Sequence, residues 1–173
     1  MAKRKIEIAP TDQNIELRAV NADDREFLLR VYEVSRAIEL AMVPWDAEQR
    51  RAFVEQQFDA QSSHYENEYR DTKHDIIICD NQPVGRLFVS RGDPEQTAIL
   101  DITVLPEHRK KGIAMRLINN LQDEAASACK SLRIFIESFN PSRELFRKLG
   151  FEVVDDPGVN LRFEWHSDEA KKT

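Results

Sequence analysis

Leu100-Asp101-Ile102-Thr103-Val104-Leu105-Pro106-Glu107-His108-Arg109-Lys110-Lys111-Gly112-Ile113-Ala114 is the stretch from which the rest of the chain can be read. An apolar run is stopped by Pro106 and followed by a short basic turn with one glycine, after which a helical pattern begins. A helix that opens in this way starts with N–H groups that have no intrahelical acceptor, and its peptide dipoles place partial positive charge at the same spot. Arg109, Lys110 and Lys111 stand beside it. A basic cluster alone reads as a solvated helix end. The glycine and the strand–turn–helix context favour a phosphate or pyrophosphate site instead.

Working outward, the helix after Gly112 carries Ile113, Leu117, Leu121 and Ala125 four apart, with Ile118 alongside. Leu132 to Glu137 is close to continuously apolar, which predicts a parallel strand covered on both faces. Asn140-Pro141 predicts a cap followed by proline at the first helical position, and the short helix ends at Gly150, with Phe151 placed for a glycine C-cap contact. A hairpin follows around Asp156-Pro157-Gly158, with Phe151 to Val154 as one strand and the alternating Val159 to Trp165 as the other.

Upstream, the strand Thr97 to Leu105 is preceded by a turn at Gly92-Asp93-Pro94 and by a hairpin of Ile76–Cys79 with Val84–Ser90. Ile15 to Ala19 reads as a strand. Asn21 or Asp23 caps a helix with Phe27, Leu28, Val31 and Ile38 at helical spacing. Asp46, with Gln49 at the capping-box position, opens a longer helix whose stripe runs Val54, Phe58, Gln61, Tyr65. The order β-α-α-β-β-β-α-β-α-β-β predicts a single α/β domain over residues 14–166, with an N-terminal tail or added edge strand at 1–13 and a C-terminal tail at 167–173.

The chain has 173 residues, 41% of them hydrophobic, enough for one domain with its own core. Its formal net charge of −6 argues against nucleic acid as a partner. No apolar run is long enough to span a bilayer, and Met1-Ala2-Lys3-Arg4-Lys5 is not followed by the apolar region of a signal peptide. Cys79 and Cys129 have no redox or metal spacing, and the histidines form no ligand pattern. The expectation is a cytoplasmic protein without a metal, either monomer or homodimer.

Val104-x-Pro106-x-x-Arg109-x-x-Gly112-Ile113-Ala114 resembles motif A of the GNAT N-acetyltransferases, and Asn140 to Phe151 is similar to their motif B, in the same order. The resemblance implies a single-domain GNAT fold: a mixed, mostly antiparallel sheet flanked by helices, with splayed parallel strands that hold an acyl-CoA. It implies that amides around Arg109, Lys110, Lys111, Gly112, Ile113 and Ala114 hold the pyrophosphate of acetyl-CoA. The pantetheine arm then lies along Ile102, Thr103 and Val104, with Asn140 on the pantetheine or adenine side. Val104 N–H is expected to polarise the thioester carbonyl. Lys110, Lys111 and Arg147 are candidate partners for phosphate.

One position departs from the family pattern. The usual tyrosine, which can protonate the leaving thiolate, is replaced by Phe146, which has no proton to give and can only pack against the cofactor or the core. Water or the nearby Ser142 is then the proton source, or the enzyme is slow. An alkylamine acceptor arrives protonated and needs a base. Asp101 is the first candidate and Glu137, at the end of the neighbouring strand, the second; each can instead serve as a hydrogen-bonded structural carboxylate. The family places acceptor specificity around Met42-Val43-Pro44-Trp45, Gln57 and Tyr65. Tyr65 is read as core, and Trp45 as either core or pocket wall. The implied activity is acetyl transfer from acetyl-CoA to a small-molecule primary amine by direct attack. A peptide amine as acceptor, or a non-catalytic acyl-CoA-binding module, are the alternatives.

Overall fold

The computed structural model describes residues 13–156 and 158–167, so the expected tails at 1–13 and 167–173, apart from Gln13 and Ser167, and Pro157 of the last turn lie outside the described residues. The strands are β1 (Ile15–Ala19), β2 (Thr72–Cys79), β3 (Gln82–Ser90), β4 (Gln96–Val104), β5 (Ser131–Glu137), β6 (Glu152–Asp155) and β7 (Asn160–Trp165). They form one sheet in the order β1-β2-β3-β4-β5-β7-β6. Only β4 and β5 pair in parallel; the other neighbours are antiparallel. The mixed, mostly antiparallel sheet expected of the chain is the sheet it has.

Helices cover both faces. α1 (Arg25–Ser35), the short α2 (Ala37–Leu40) and α3 (Ala47–Glu68) lie on one side, α4 (Ile113–Ser127) and α5 (Arg143–Lys148) on the other. Successive strand residues point to opposite faces, and the cores divide accordingly. Ile76 joins Leu28, Leu29, Tyr32, Val54 and Phe58, whereas Ile77 joins Leu117, Ile118, Leu121 and Phe146. Each such side chain contributes roughly 1.5–3 kcal/mol by leaving water. Among the described residues no helix is long and apolar enough to cross a membrane.

The caps follow the sequence closely. Asp46 accepts from Gln49 N–H at 2.9 Å, and the Gln49 side chain accepts from Asp46 N–H at 3.1 Å. Asn21 caps a 3-10 turn at Ala22–Asp24 that leads into α1. At Gly150 (φ 85°), N–H donates to Arg147 O while Phe151 N–H donates to Phe146 O, each at 3.0 Å, closing α5 on a left-handed glycine.

Three expectations need correction. Ile38 does not continue the apolar face of α1: the backbone leaves the helical region at Arg36 (φ −104°, ψ 11°), and Ile38 is 46% exposed on α2. β5 is covered on one face only: Leu132, Ile134 and Ile136 are buried, while Arg133, Phe135 and Glu137 line a cleft and Phe135 is 47% exposed. Pro141 is not the first residue of α5. Asn140 Oδ1 accepts from Ser142 N–H at 2.9 Å, so a turn precedes the helix, which begins at Arg143.

The sheet opens between β4 and β5. Their ladder runs from Gln96 opposite Ser131 to Ile99 opposite Ile134 and then stops, although both strands continue. Where it stops, β4 also bulges against β3: Phe88 faces Asp101 and Val89 faces Ile99, which leaves Leu100 as the extra residue. On its other edge the bulged half of β4 stays tight against β3. A Cβ on Gly85 would lie 2.1 Å from Thr103 O, so only glycine permits this approach.

Candidate active site

The parting of β4 and β5 turns backbone groups outward. Leu105 N–H donates to Val84 O at 2.8 Å. In an antiparallel ladder such pairs alternate with unbonded ones. Val104 faces Gly85 and Ile102 faces Leu87, so the N–H and C=O groups of Val104 and Ile102 point away from β3, into the gap. Arg109 Nε donates to Val104 O at 2.8 Å and ties the following turn to the strand.

The turn itself has the predicted character. Pro106–His108 forms a 3-10 turn, and Lys110 (φ 59°) and Gly112 (φ 79°) adopt left-handed backbone before α4 begins at Ile113. No side chain caps α4 and its first turn contains no acid, in contrast to the start of α3, which Asp46 caps. Arg116 N–H donates to Gly112 O at 3.0 Å. The amides ahead of Arg116 are therefore the unpartnered start of the helix.

Gap and helix start open onto one cavity of about 1130 Å³. It is lined by Asp101, Ile102, Thr103 and Val104 from β4, by Arg109, Lys110, Gly112, Ile113 and Ala114 from the turn, and by Glu137, Asn140 and Phe146 across from them. Of the cofactor-binding and catalytic residues expected from the sequence, Lys111 and Arg147 lie outside this lining. Arg147 pairs instead with Glu144, one turn back on α5, at 2.9 Å.

The two carboxylates differ in how firmly they are held. Asp101 Oδ2 accepts from Arg86 at 2.7 Å and Oδ1 from Thr103 Oγ1 at 2.8 Å. Arg86 is 1% exposed, donates also to Gln61 Oε1 at 2.8 Å, and has its guanidinium carbon 5.7 Å from the ring centres of both Tyr32 and Phe58. Glu137 Oε1 accepts from Arg36 at 3.3 Å and Oε2 from Asn140 Nδ2 at 3.4 Å, longer contacts on a side chain 28% exposed.

Phe146 is 2% exposed and meets Phe151 edge to face at 5.2 Å, so it is held in the core even as it borders the cleft, which Ser142, one turn earlier, also lines. Tyr65, read as core, is part of the cleft wall: its hydroxyl donates to Leu100 O at 2.9 Å, at the bulge. Burial, with the Asp101 carboxylate next, pushes this phenol above its ordinary range. Trp45 packs on Phe53 at 4.9 Å and lies outside the lining, whereas Gln57 is within it. Neither Cys79, 6% exposed in the sheet core, nor Cys129 lines the cleft. Burial pushes the Cys79 thiol up, away from the thiolate.

Arg86 stands outside both motifs, yet the sequence carries a signal for it. An arginine inside the apolar run Val84–Ser90 needs an acid partner if the strand is buried, and Asp101 lies in the next strand. Arg133, an arginine inside the apolar run of β5, carries the same signal; Arg36 and Gln61 give no such hint, because each reaches the cleft only through the packing of helix on sheet.

The acetyltransferase (GNAT) family matches residues 36–151. Among solved structures, paia N-acetyltransferase from Thermoplasma acidophilum, in complex with coenzyme A, superposes with a TM-score of 0.68 at 17% identity, over 89% of this chain and 99% of that one. An acetyltransferase from Thermus thermophilus gives 0.65 at 18% identity, over 88% and 97%. A GNAT family acetyltransferase from Elizabethkingia anophelis with acetyl-CoA bound gives 0.58 at 14%, over 91% and 100%. Curated proteins yield no match in sequence. At these identities the structures speak for the fold. The family match is the stronger finding, because it spans more than half of the chain and takes in the parted strand, the uncapped turn and α5 together: the chain belongs to the GNAT acetyltransferase family.

Proposed function

We propose that the chain transfers the acetyl group of acetyl-CoA to a primary amine of a small molecule, by direct attack of the amine on the thioester. One observation carries this reading: the outward amides of β4 and the uncapped, cation-flanked start of α4 open onto the same cavity. The N–H groups of Gly112, Ile113 and Ala114 suit a pyrophosphate, with Arg109 and Lys110 beside it. Ile102, Thr103 and Val104 suit an extended amide-bearing arm that pairs as a further strand would, with Asn140 across the gap. Acetyl-CoA would supply an acyl group already activated as a thioester. Val104 lies next to the turn and Ile102 lies deeper, toward the bulge. The reach from the phosphate end therefore favours Val104 for the arm and the Ile102 N–H for the thioester oxygen, where the sequence points to Val104 alone.

The proton of the attacking amine goes to Glu137 in this reading. A proton on Asp101 would deprive the buried Arg86 of its counter-ion, a change that costs several kcal/mol. Asp101 is accordingly a positioning residue that fixes Arg86, Thr103 and the β4 bulge. Glu137, on longer contacts and more exposed, can take a proton at lower cost. On the thiolate side, Phe146 offers nothing. A thiol of ordinary pKa, about 8.5, leaves without an obligatory acid, and Ser142 is the hydroxyl that the α5 wall presents. The Tyr65 hydroxyl is already engaged on Leu100 O, and burial disfavours its ionisation. Direct attack, without an acetyl-enzyme, is supported by the absence of either cysteine from the lining. The small-molecule reading is supported by Trp45, which packs away from the cleft instead of extending it into a groove.

The test is free-thiol release from acetyl-CoA across amines, polyamines, amino acids and peptides. Amine-dependent release is expected, and Phe146→Tyr should increase it several-fold by restoring a proton donor. If acetyl-CoA binds but neither protein releases thiol with any amine, the chain is an acyl-CoA-binding module and the enzymatic reading is wrong. Release with peptides but not small amines would transfer the acceptor to the protein class.

A further inference from the structure

We infer that the acceptor is an amino carboxylate and that Arg133 holds its carboxylate; the inference rests on the acetyltransferase reading of the cleft. It begins with the charges on the acceptor side. Arg86 is matched by Asp101 at 2.7 Å, and Arg36 by Glu39 at 3.1 Å and Glu137 at 3.3 Å. Arg133 lines the same cavity and differs from both. Among the described residues no carboxylate lies within ion-pair distance of it and none of its N–H donors meets an acceptor, while its Nε is buried. Its cross-strand neighbour Glu164 is already engaged, by Arg162 at 2.9 Å and His166 at 3.1 Å.

Arg86 and Arg162 also leave Nε unbonded among the described residues, but each has a carboxylate on its guanidinium; a cleft-facing arginine without one is free to take the carboxylate of a ligand. Arg133 is also held ready for one. Its guanidinium carbon lies 6.0 Å from the Tyr69 ring centre and 5.7 Å from that of Phe135. Two aromatic rings restrain the flat group, which favours a charge-assisted hydrogen bond to a flat carboxylate.

The position suits this role. Arg133 pairs with Ala98, one step before the β4–β5 ladder ends, so it stands at the closed end of the cleft, deeper than the Ile102 N–H assigned to the thioester. Arg133 and Glu137 lie on the same face of β5, four residues apart, about 13 Å of strand, and the length of the two side chains shortens that span. An amine and a carboxylate a few bonds apart, as in an amino acid, bridge it. The paired carboxylates Asp101 and Glu137 leave no free anion here to attract a polyamine.

The experiment compares the standard amino acids with their C-terminal amides, which keep the shape and lose the charge, on the wild-type enzyme, Arg133→Met and Arg133→Lys. The free acid is expected to be preferred by about 10- to 100-fold in kcat/KM, the range of one hydrogen bond to a charged group. Arg133→Met should collapse that preference toward unity through KM with little change in kcat, and Arg133→Lys should recover part of it. A structural role alone would shift acids and amides alike. If amides are acetylated as well as acids, the carboxylate assignment is wrong while acetyl transfer stands. If thiol is released with other amines or polyamines but with neither acids nor amides, this inference is wrong while acetyl transfer stands. If acetyl-CoA binds by calorimetry and no amine of any class is turned over, the acetyltransferase reading fails, and this inference with it.

Discussion

Asp101→Asn would leave the Arg86 guanidinium, 1% exposed, without the carboxylate at 2.7 Å. Removing one partner of a buried pair costs about 3–5 kcal/mol, so chemical denaturation should show a loss of that size. Glu137→Gln is expected to behave in the opposite way: stability close to wild type, because its contacts are long and partly exposed, and kcat reduced about 10²-fold, the lower range for a lost general base. A large kcat loss with no stability loss for Asp101→Asn would reverse the two assignments. At this scale the backbone of the site is legible in the sequence and its side-chain wiring is not. Gly112, Arg109 and Asn140 declare themselves because special backbone positions demand particular residues. That Asp101 belongs to Arg86 depends on the β3–β4 register across a bulge, and the fate of Tyr65 on where one turn of α3 crosses that bulge.

Between elements, His74 of β2 lies flat on Phe88 of β3, ring centres 4.3 Å apart, with its Nε2 buried and unbonded among the described residues. Burial, and secondly the Arg86 charge, lower its pKa from 6.5 to about 4. The folded protein therefore binds this proton less readily than the unfolded chain. The contribution to stability is complete above about pH 6.5 and is lost progressively as pH falls toward 4. Each unit is worth about 1.4 kcal/mol, so the loss approaches about 3 kcal/mol. Denaturant midpoints measured from pH 7 to 4 should show this slope, and His74→Gln should flatten it. Element boundaries go astray where polar residues carry structural work. The sequence shows β2 only as Ile76–Cys79 because Thr72 to Asp75 look like loop, although Asp75 is 3% exposed within the strand. It shows β5 as covered on both faces because Phe135 is apolar, and an apolar side chain on a ligand-facing surface has the same signature as one in a core.

As a whole the molecule is one sheet with a single seam. β1 to β4 form one body and β5, β7 and β6 the other, joined by the short parallel ladder from Gln96–Ser131 to Ile99–Ile134. α1 and α3 brace the first body from one side, and α4 packs across from the other, on both β4 and β5. Fold class and element order are readable from the sequence because helix and strand periods differ and the caps are explicit. The opening between the bodies is not, because a strand that stops pairing halfway has the same composition as one that pairs throughout. That opening gives β4 two unlike edges, and they should differ in how fast their amide hydrogens exchange with solvent. Asp101, Thr103 and Leu105 direct theirs at β3, whereas Ile102 and Val104 direct theirs into the gap. In the free protein, deuterium should therefore enter β4 at alternate residues, fast at Ile102 and Val104 and slow at Thr103 and Leu105. Addition of coenzyme A should slow the fast pair and leave the others unchanged, so that one strand reports occupancy of the cleft amide by amide.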